Sequence, residues 1–440
     1  MKKSEYFLLV MIFICASCAK DQMFEPSYQF RDNNSPYNLI SPKIKIAVIS
    51  DIHYLDPSLM PDDYATNTDF QKDMSLDRKL IELSDPIFRK AMSELITEKP
   101  DILLITGDMT KDGELASHET MAGFLKQLED SGIQVYVVPG NNDVDNPDAV
   151  TYKTSPPSGV ANIIPSKFAN LYADFGYNDD EALYKDENSL SYICQPYNGL
   201  WILGIEANEF TESGVTINPL TLAWIHERMT EANENNITVL AMIHYGIIQH
   251  YSGQGEITPE PLLEDSEGIA IALMNDGIRL IFTGHYHAND IVEFRNNGKT
   301  LFDIQTGSLV TPLSPYRIMT LDDNFIKIET RQITDVDVVL PEGMDFLTFS
   351  DGIITSRLDN LFYYFLRGRG VQKPDAKNLA PYVTHAFKAY LSGDEKLNPE
   401  ENYEINALGL ETSYPFVLTV LNSLWTDLPP KDNKIHIKLK

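Results

Sequence analysis

Five short runs of apolar, mostly β-branched residues, at 44–50, 102–106, 135–139, 239–243 and 280–283, set the frame of this chain. Uninterrupted apolar runs of roughly four to eight residues predict strands buried on both faces, as in a parallel sheet covered by helices. Helical spacing fills the gaps between them. Ser84 can cap a helix with Pro86 in its first turn, and Pro100 stops it. The stretch 114–128 ends near Gly132, Asn218-Pro219 opens another helix, and one more runs from Ser266 to Gly277. The alternation then gives way to hairpins, with Asn296-Asn297-Gly298 and Asp322-Asp323-Asn324 as the turns. From about Asp335 the pattern changes again: 344–366, 382–391 and 413–424 are helix-like and rich in aromatic residues. They are expected to form a small helical appendage that caps the core structurally and does not touch substrate.

The residues that follow each run carry the chemistry. Asp51-Ile52-His53 follows the first, Gly107-Asp108 the second, and Gly140-Asn141-Asn142-Asp143 the third. His244 follows the fourth run and Gly284-His285-Tyr286-His287 the fifth. Singly these strings are weak, since a lone His244 would more often be a core histidine and Asp108 could cap the next helix. Together, at the carboxyl ends of parallel strands, they gather on one rim. Carboxylate, amide and imidazole donors suit hard or borderline divalent cations rather than copper thiolate chemistry.

Charge and the N-terminus narrow the setting. A formal charge of −29, from 35 basic and 64 acidic residues, repels nucleic-acid backbones and argues against that class of partner. A small anionic substrate stays open, because bound cations reverse the local field. Lys2 and Lys3 precede an apolar segment, 7–16, that is too short to span a bilayer. Cys15-Ala16-Ser17-Cys18 reads as a lipobox with Cys18 as the lipidated residue, although Cys15 stands where Leu is usual. Residues 19–42, rich in Asn, Ser, Pro, Gln and Asp, read as a flexible tether with a reach of about 25–30 Å. The expected location is the bacterial cell envelope, with the lipid in a membrane (the outer one favoured) and the face undecided. Cys194 is expected to be a buried core thiol. The sequence indicates no oligomeric state.

The ordered motifs DxH, GD, GN-x-[DE], a lone His and GHxH, from about Ile44 to His287, resemble the calcineurin-like metallophosphoesterase superfamily. The resemblance implies a four-layer α/β/β/α sandwich with a C-terminal helical appendage. The expected boundaries are 1–17 for the signal peptide, 18–42 for the tether, 43–334 for the metallophosphoesterase domain and 335–440 for the helical region. It further implies two divalent metal ions, Mn, Fe or Zn. Asp51, His53 and His287 would complete one site, Asn141, His244 and His285 the other, and Asp108 would bridge them. The implied reaction is hydrolysis of a small phosphoester by a water activated between the metals. The strings 140–147 and 189–192 and the helical tail resemble bacterial 3′,5′-cyclic-nucleotide phosphodiesterases, so a phosphodiester is the expected substrate. A phosphomonoesterase, a lipid-head-group phosphodiesterase, and a catalytically weakened lipoprotein that binds a phosphorylated ligand remain alternatives.

One position departs from the family pattern. Asn142, Asp143 and His250 are the candidate catalytic residues, and Asn142 stands where a His in the family usually pairs with the next acidic residue, here Asp143, and protonates the leaving oxygen. Asn cannot act as an acid, and a general acid is worth roughly 10²–10⁴-fold. The site is then a slower enzyme, an enzyme for good leaving groups, or one that borrows an acid. His250, six residues after His244, and His118, in a helical stretch and expected to be structural, are the two histidines considered for that role.

Overall fold

The computed structural model describes residues 28–29, 43–210, 215–257, 262–322 and 325–439. The signal peptide 1–17, Cys18, and the tether apart from Tyr28–Gln29 lie outside the described residues, as do Asp323 and Asn324 of the second turn.

Two seven-stranded sheets form the centre. The first contains β1 (Ile44–Ile49), β2 (Ile102–Ile105) and β3 (Gln134–Val137), all parallel. The second contains β4 (Ala182–Lys185), β5 (Tyr192–Tyr197), β6 (Leu200–Ile205), β7 (Thr238–Ile243), β8 (Leu280–Thr283), β9 (Ile291–Asn296) and β10 (Lys299–Gln305). Its order is β9-β10-β8-β7-β6-β5-β4, with β10, β8, β7 and β6 parallel. The chain then returns to the first sheet as the hairpin β11 (Pro315–Leu321) and β12 (Phe325–Gln332), with β11 antiparallel to β1.

Side-chain alternation on the strands shows how the sheets stack. Leu240, Met242, Leu280 and Phe282 join the core shared with Ile46, Val48 and Leu104 of the first sheet. Their neighbours Ala241, Ile243 and Ile281 instead meet Ile225, Met229, Ile269 and Leu273 on the outer helices α3 (Pro219–Glu234) and α4 (Ser266–Asn275). On the first sheet's side lie α1 (Ser84–Glu98) and α2 (Leu115–Asp130). Each central strand therefore buries both faces, which is why it reads as a continuous apolar run. The result is the expected α/β/β/α sandwich.

The helical region consists chiefly of α5 (Phe346–Gly368), α6 (Lys373–Ser392), α7 (Pro399–Ala407) and α8 (Pro415–Leu424). Helical structure does not continue to the end of the expected 335–440 segment. Lys434–Lys438 is a strand, β13, antiparallel to β12, and Tyr28–Gln29 lies parallel beside its Ile437 and Lys438. Ile435 and Ile437 point into the core while the intervening side chains are exposed. Buried groups fasten the helices down. Arg357 donates to Glu82 Oε1 (2.7 Å) and to the Lys79 carbonyl (2.7 Å), and the Asn289 amide donates to Leu391 O (3.1 Å). Fully buried Arg317 of β11 donates to the carbonyls of Gln305 and Asp432, joining the loop before β13 to the end of β10. No helix among the described residues is long and apolar enough to cross a membrane.

Candidate active site

The carboxyl ends of β1, β2 and β3 face those of β7 and β8, and the sequence motifs meet there. Asp51, His53, Asp108, His285 and His287 all adopt left-handed backbone, with φ between 43° and 73°. Such a conformation costs a non-glycine residue about 1–3 kcal/mol and persists only where surroundings enforce it. Here the enforcement is visible. Asp51 N donates to Gly107 O (3.1 Å), His53 N to Asp108 O (2.9 Å) and the Ser308 hydroxyl to Asp51 O (2.7 Å). The motif glycines permit the close approach: a Cβ on Gly140 would strike the Asp108 carboxylate, and one on Gly284 would strike Ser50 and Asp51.

The donors fall into two overlapping clusters. Asp51, His53 and His287 place their ligand atoms together, as do Asp51, Asp108 and His244. His53 Nε2 and His287 Nε2 are 3.1 Å apart, with Asp51 Oδ1 at 3.9 and 3.4 Å respectively. Asp108 Oδ2 lies 3.7 Å from His53 Nε2 and 3.5 Å from His244 Nε2, between the two clusters. His244 Nδ1 donates to the Thr106 carbonyl (2.8 Å), which turns Nε2 toward Asn141 Oδ1 at 3.1 Å. His285 stands to one side, its ring centroid 5.1 Å from that of His244, and lines the cavity above.

Electrostatics show what the cluster is made to hold. Burial, with Lys79 nearby, keeps His53 well below the usual imidazole range, and burial with Arg78 and Lys79 does the same for His287. Two neutral imidazoles thus aim nitrogens at one point, an arrangement that a shared cation satisfies and a single proton only half satisfies. Burial raises the Asp51 carboxyl. Against burial, Asp108 draws His244 up to about 9, so a proton sits where positive charge is wanted. The donor set fits two divalent ions, and loading them would release that proton.

Three expectations are corrected by this geometry. Asp143 does not face the reaction centre. It accepts from the amides of Met109, Thr110 and Gly140 and from the Thr110 hydroxyl, pinning together the two loops that carry Asp108 and Asn141. Burial, with the Asp108 charge beside it, raises its carboxyl. His250 is also withdrawn, at 1% exposure, between Asp290 (3.3 Å) and Asp303 (3.4 Å). These carboxylates overcome burial and hold its pKa at about 10, so it is a fixed cation of the fold and no borrowed acid. Finally, the helical region is more than a structural cap. It walls a cavity of about 530 Å³ above the cluster, with Phe362, Phe365, Phe387 and Leu424 opposite His53, Asp108, Asn142 and His287. His118, as expected, is structural: it bonds Tyr172 Oη (2.8 Å) and the Asp143 carbonyl (2.8 Å).

Asn142 sits at the cavity floor, giving its amide to Asp108 Oδ1 (2.8 Å) and its Nδ2 to Asp108 Oδ2 (2.6 Å). Sequence reasoning missed Arg78 and Lys79, which line the same cavity. Their signal was a basic pair shortly after the first motif of an acidic chain. It also missed Ser50, whose hydroxyl bonds Asp51 Oδ2 (2.5 Å) and accepts from Thr106 (2.7 Å).

A family model described as calcineurin-like phosphoesterase matches residues 44–289, more than half of the chain. Among solved structures, the chain is similar to a dimetal phosphatase from Danio rerio, at 14% identity and a TM-score of 0.45, covering 66% of this chain and 96% of that one. It is also similar to a purple acid phosphatase from yellow lupin seeds, at 12% identity and a TM-score of 0.43, covering 68% and 53%. No curated protein matches.

Proposed function

Since this chain belongs to the calcineurin-like phosphoesterase family, we propose that its metal-dependent phosphoester hydrolysis is directed at phosphodiesters with good leaving groups. The observation that carries this reading is Asn142 on the cavity floor, bonded to Asp108, where a proton donor would otherwise stand. Asp51, His53 and His287 would hold one divalent ion, Asn141 and His244 with His285 beside them the other, and Asp108 both. When bound, the ions supply Lewis acidity and an activated water.

The remaining roles belong to the chain itself. Arg78 and Lys79 hold the anion at the cavity side, which matters in a protein of charge −29. A singly charged diester meets less repulsion from that acidic surface than a doubly charged monoester. Asn142 Nδ2 offers a hydrogen bond, but no proton, to an oxygen of the substrate, so a leaving group stable as an anion departs best. Ser50, Thr106 and Asp143 keep the donor-bearing loops in register.

Purified protein supplied with Mn²⁺ is assayed on bis(p-nitrophenyl) phosphate and on p-nitrophenyl phosphate. The expected result is turnover of the diester in clear preference to the monoester. Preference for the monoester would remove the diester assignment, and turnover of neither would remove the enzymatic reading.

A further inference from the structure

Resting on the phosphodiesterase reading, we propose that the substrate carries an apolar substituent, a hydrocarbon chain or its equivalent, bound by the wall of the C-terminal helices. One cavity is continuous from the donor cluster to that wall. Its floor is polar and charged. Its far side is Leu361, Phe362 and Phe365 of α5, Phe387 of α6, and Val420 and Leu424 of α8. On α5 and α8 these positions recur at helical spacing, so a coherent face of each helix looks into the cavity.

Core packing accounts for part of this wall, since Phe362, Phe387, Val420 and Leu424 are buried in the shared core and Leu361 and Phe365 are half-buried beside it, but it leaves the space in front of them unfilled. Protein interiors are filled to crystal-like density, and unfilled apolar space destabilises a fold in proportion to its volume. Helices free to settle would close onto one another. Here they are held off the cluster by fixed attachments: Arg357 to Glu82 and the Lys79 carbonyl, and Leu391 O to the Asn289 amide, two residues beyond His287. At about 530 Å³ the space falls within the roughly 300–1,000 Å³ of sites that enclose whole small molecules. It exceeds what a phosphoryl group at the metals needs.

The chemistry of the wall selects the occupant. The six side chains named offer no hydrogen-bond donor or acceptor, so a sugar or other hydroxylated substituent lodged there would lose its water without replacement. A nucleobase could stack on Phe362 or Phe365, yet its polar edge would meet the same deficit. A hydrocarbon loses nothing. The polar lining lies with the donor cluster, where Arg78, Lys79 and Asn142, beside the carboxylates Asp73 and Asp77, would meet the phosphoryl group.

The test is calorimetric titration of the full chain, loaded with Mn²⁺, with n-alkylphosphonates from methyl to octyl, which bind without being hydrolysed. The affinity is expected to rise by about two- to fourfold per added methylene until the cavity is filled, with an increasingly negative heat-capacity change. Leu361→Gln, at a half-buried position, should flatten that dependence, and adenosine 5′-monophosphate should bind more weakly than octylphosphonate. Equal affinities for methyl and octyl, or tighter binding of the nucleotide, would overturn the proposal. Bis(p-nitrophenyl) phosphate turnover in the same preparation separates the two readings. Turnover with no chain-length dependence defeats the apolar subsite alone, whereas chain-length dependence without turnover upholds the subsite and defeats the hydrolase reading.

Discussion

Asn142→His is the substitution whose outcome the geometry constrains most. The backbone amide of residue 142 would keep its hydrogen bond to Asp108 Oδ1 (2.8 Å), and only the side-chain bond to Oδ2 (2.6 Å) would be lost. A hydrogen bond to a charged group is worth about 1.5–3 kcal/mol, or roughly one to two decades in rate if all of it is felt in the transition state. A general acid returns roughly two to four decades. The lower figure applies here. Asp143, the residue that would orient and charge the new imidazole, is already occupied by Met109, Thr110 and Gly140. For a poor leaving group the two effects leave a net gain on the order of tenfold or less. For p-nitrophenolate, which needs no acid, the variant should be about tenfold slower than the parent. The signature is therefore a change of slope. Aryl methyl phosphodiesters spanning a range of phenol pKa are compared by kcat/KM, and the poor-to-good ratio should rise about 100-fold in the variant. Parallel lines for parent and variant, or a parent already indifferent to the leaving group, would refute the reasoning.

Asp108→Asn should abolish binding of both ions, because Oδ2 lies between His53 and His244; elemental analysis that still finds two metals per chain would contradict this. Stripping the metals with a chelator should lower the melting temperature by several degrees and Mn²⁺ should restore it, since ions that bind only the folded state stabilise it. In metal-free protein, burial and Asp290 raise Glu395 to about 9 and Asp427 to about 6, while His250 stands at about 10. Folded pKa values above the unfolded ones give stability that is complete at low pH and lost as pH climbs through about 6, 9 and 10. The melting temperature of metal-free protein should accordingly fall from about pH 4, where the carboxyls ionise in the unfolded chain, to about pH 10, and Glu395→Gln should lessen the fall between about pH 4.5 and 9; an unchanged profile would count against the assignment. Cys18→Ser is expected to leave the precursor unlipidated and outside the membrane fraction; a parent protein found free in solution would rule out the lipobox.

The strands and the candidate donors at their ends were legible because each obeys a local rule. A β-strand buried on both faces must be apolar throughout, so the first Asp or His after it marks the rim. His250 illustrates the opposite case. Its spacing from His244 suggested the pocket, but its environment is set by Asp290, just before β9, and Asp303 of β10, which reach it through tertiary packing. Asp143 was misjudged for a related reason: sequence shows its neighbour Asn142 and cannot show the amides of Met109 and Thr110 that capture its carboxylate. The cavity wall was hidden because Phe362 against a core and Phe362 against a cavity have the same helical spacing. Lys434–Lys438 alternates as a strand should, with Ile435 and Ile437 inward, yet at five residues it was overshadowed by the helices before it.

That last strand changes what the helical region is. β12 leads into α5 and β13 follows α8, and the two strands are hydrogen-bonded neighbours in the sheet that also carries Asp51. The helices are thus a parenthesis inside a sheet. During synthesis β12 emerges with an open edge, and that edge stays uncovered until the roughly hundred intervening residues have been made, a window in which an edge bearing Ile326 and Ile328 can recruit another chain. What opposes a hinge is the set of attachments on the helices themselves: swinging the wall away from the metals would break the Arg357–Glu82 ion pair and the Asn289–Leu391 hydrogen bond, while β12 and β13 could stay paired.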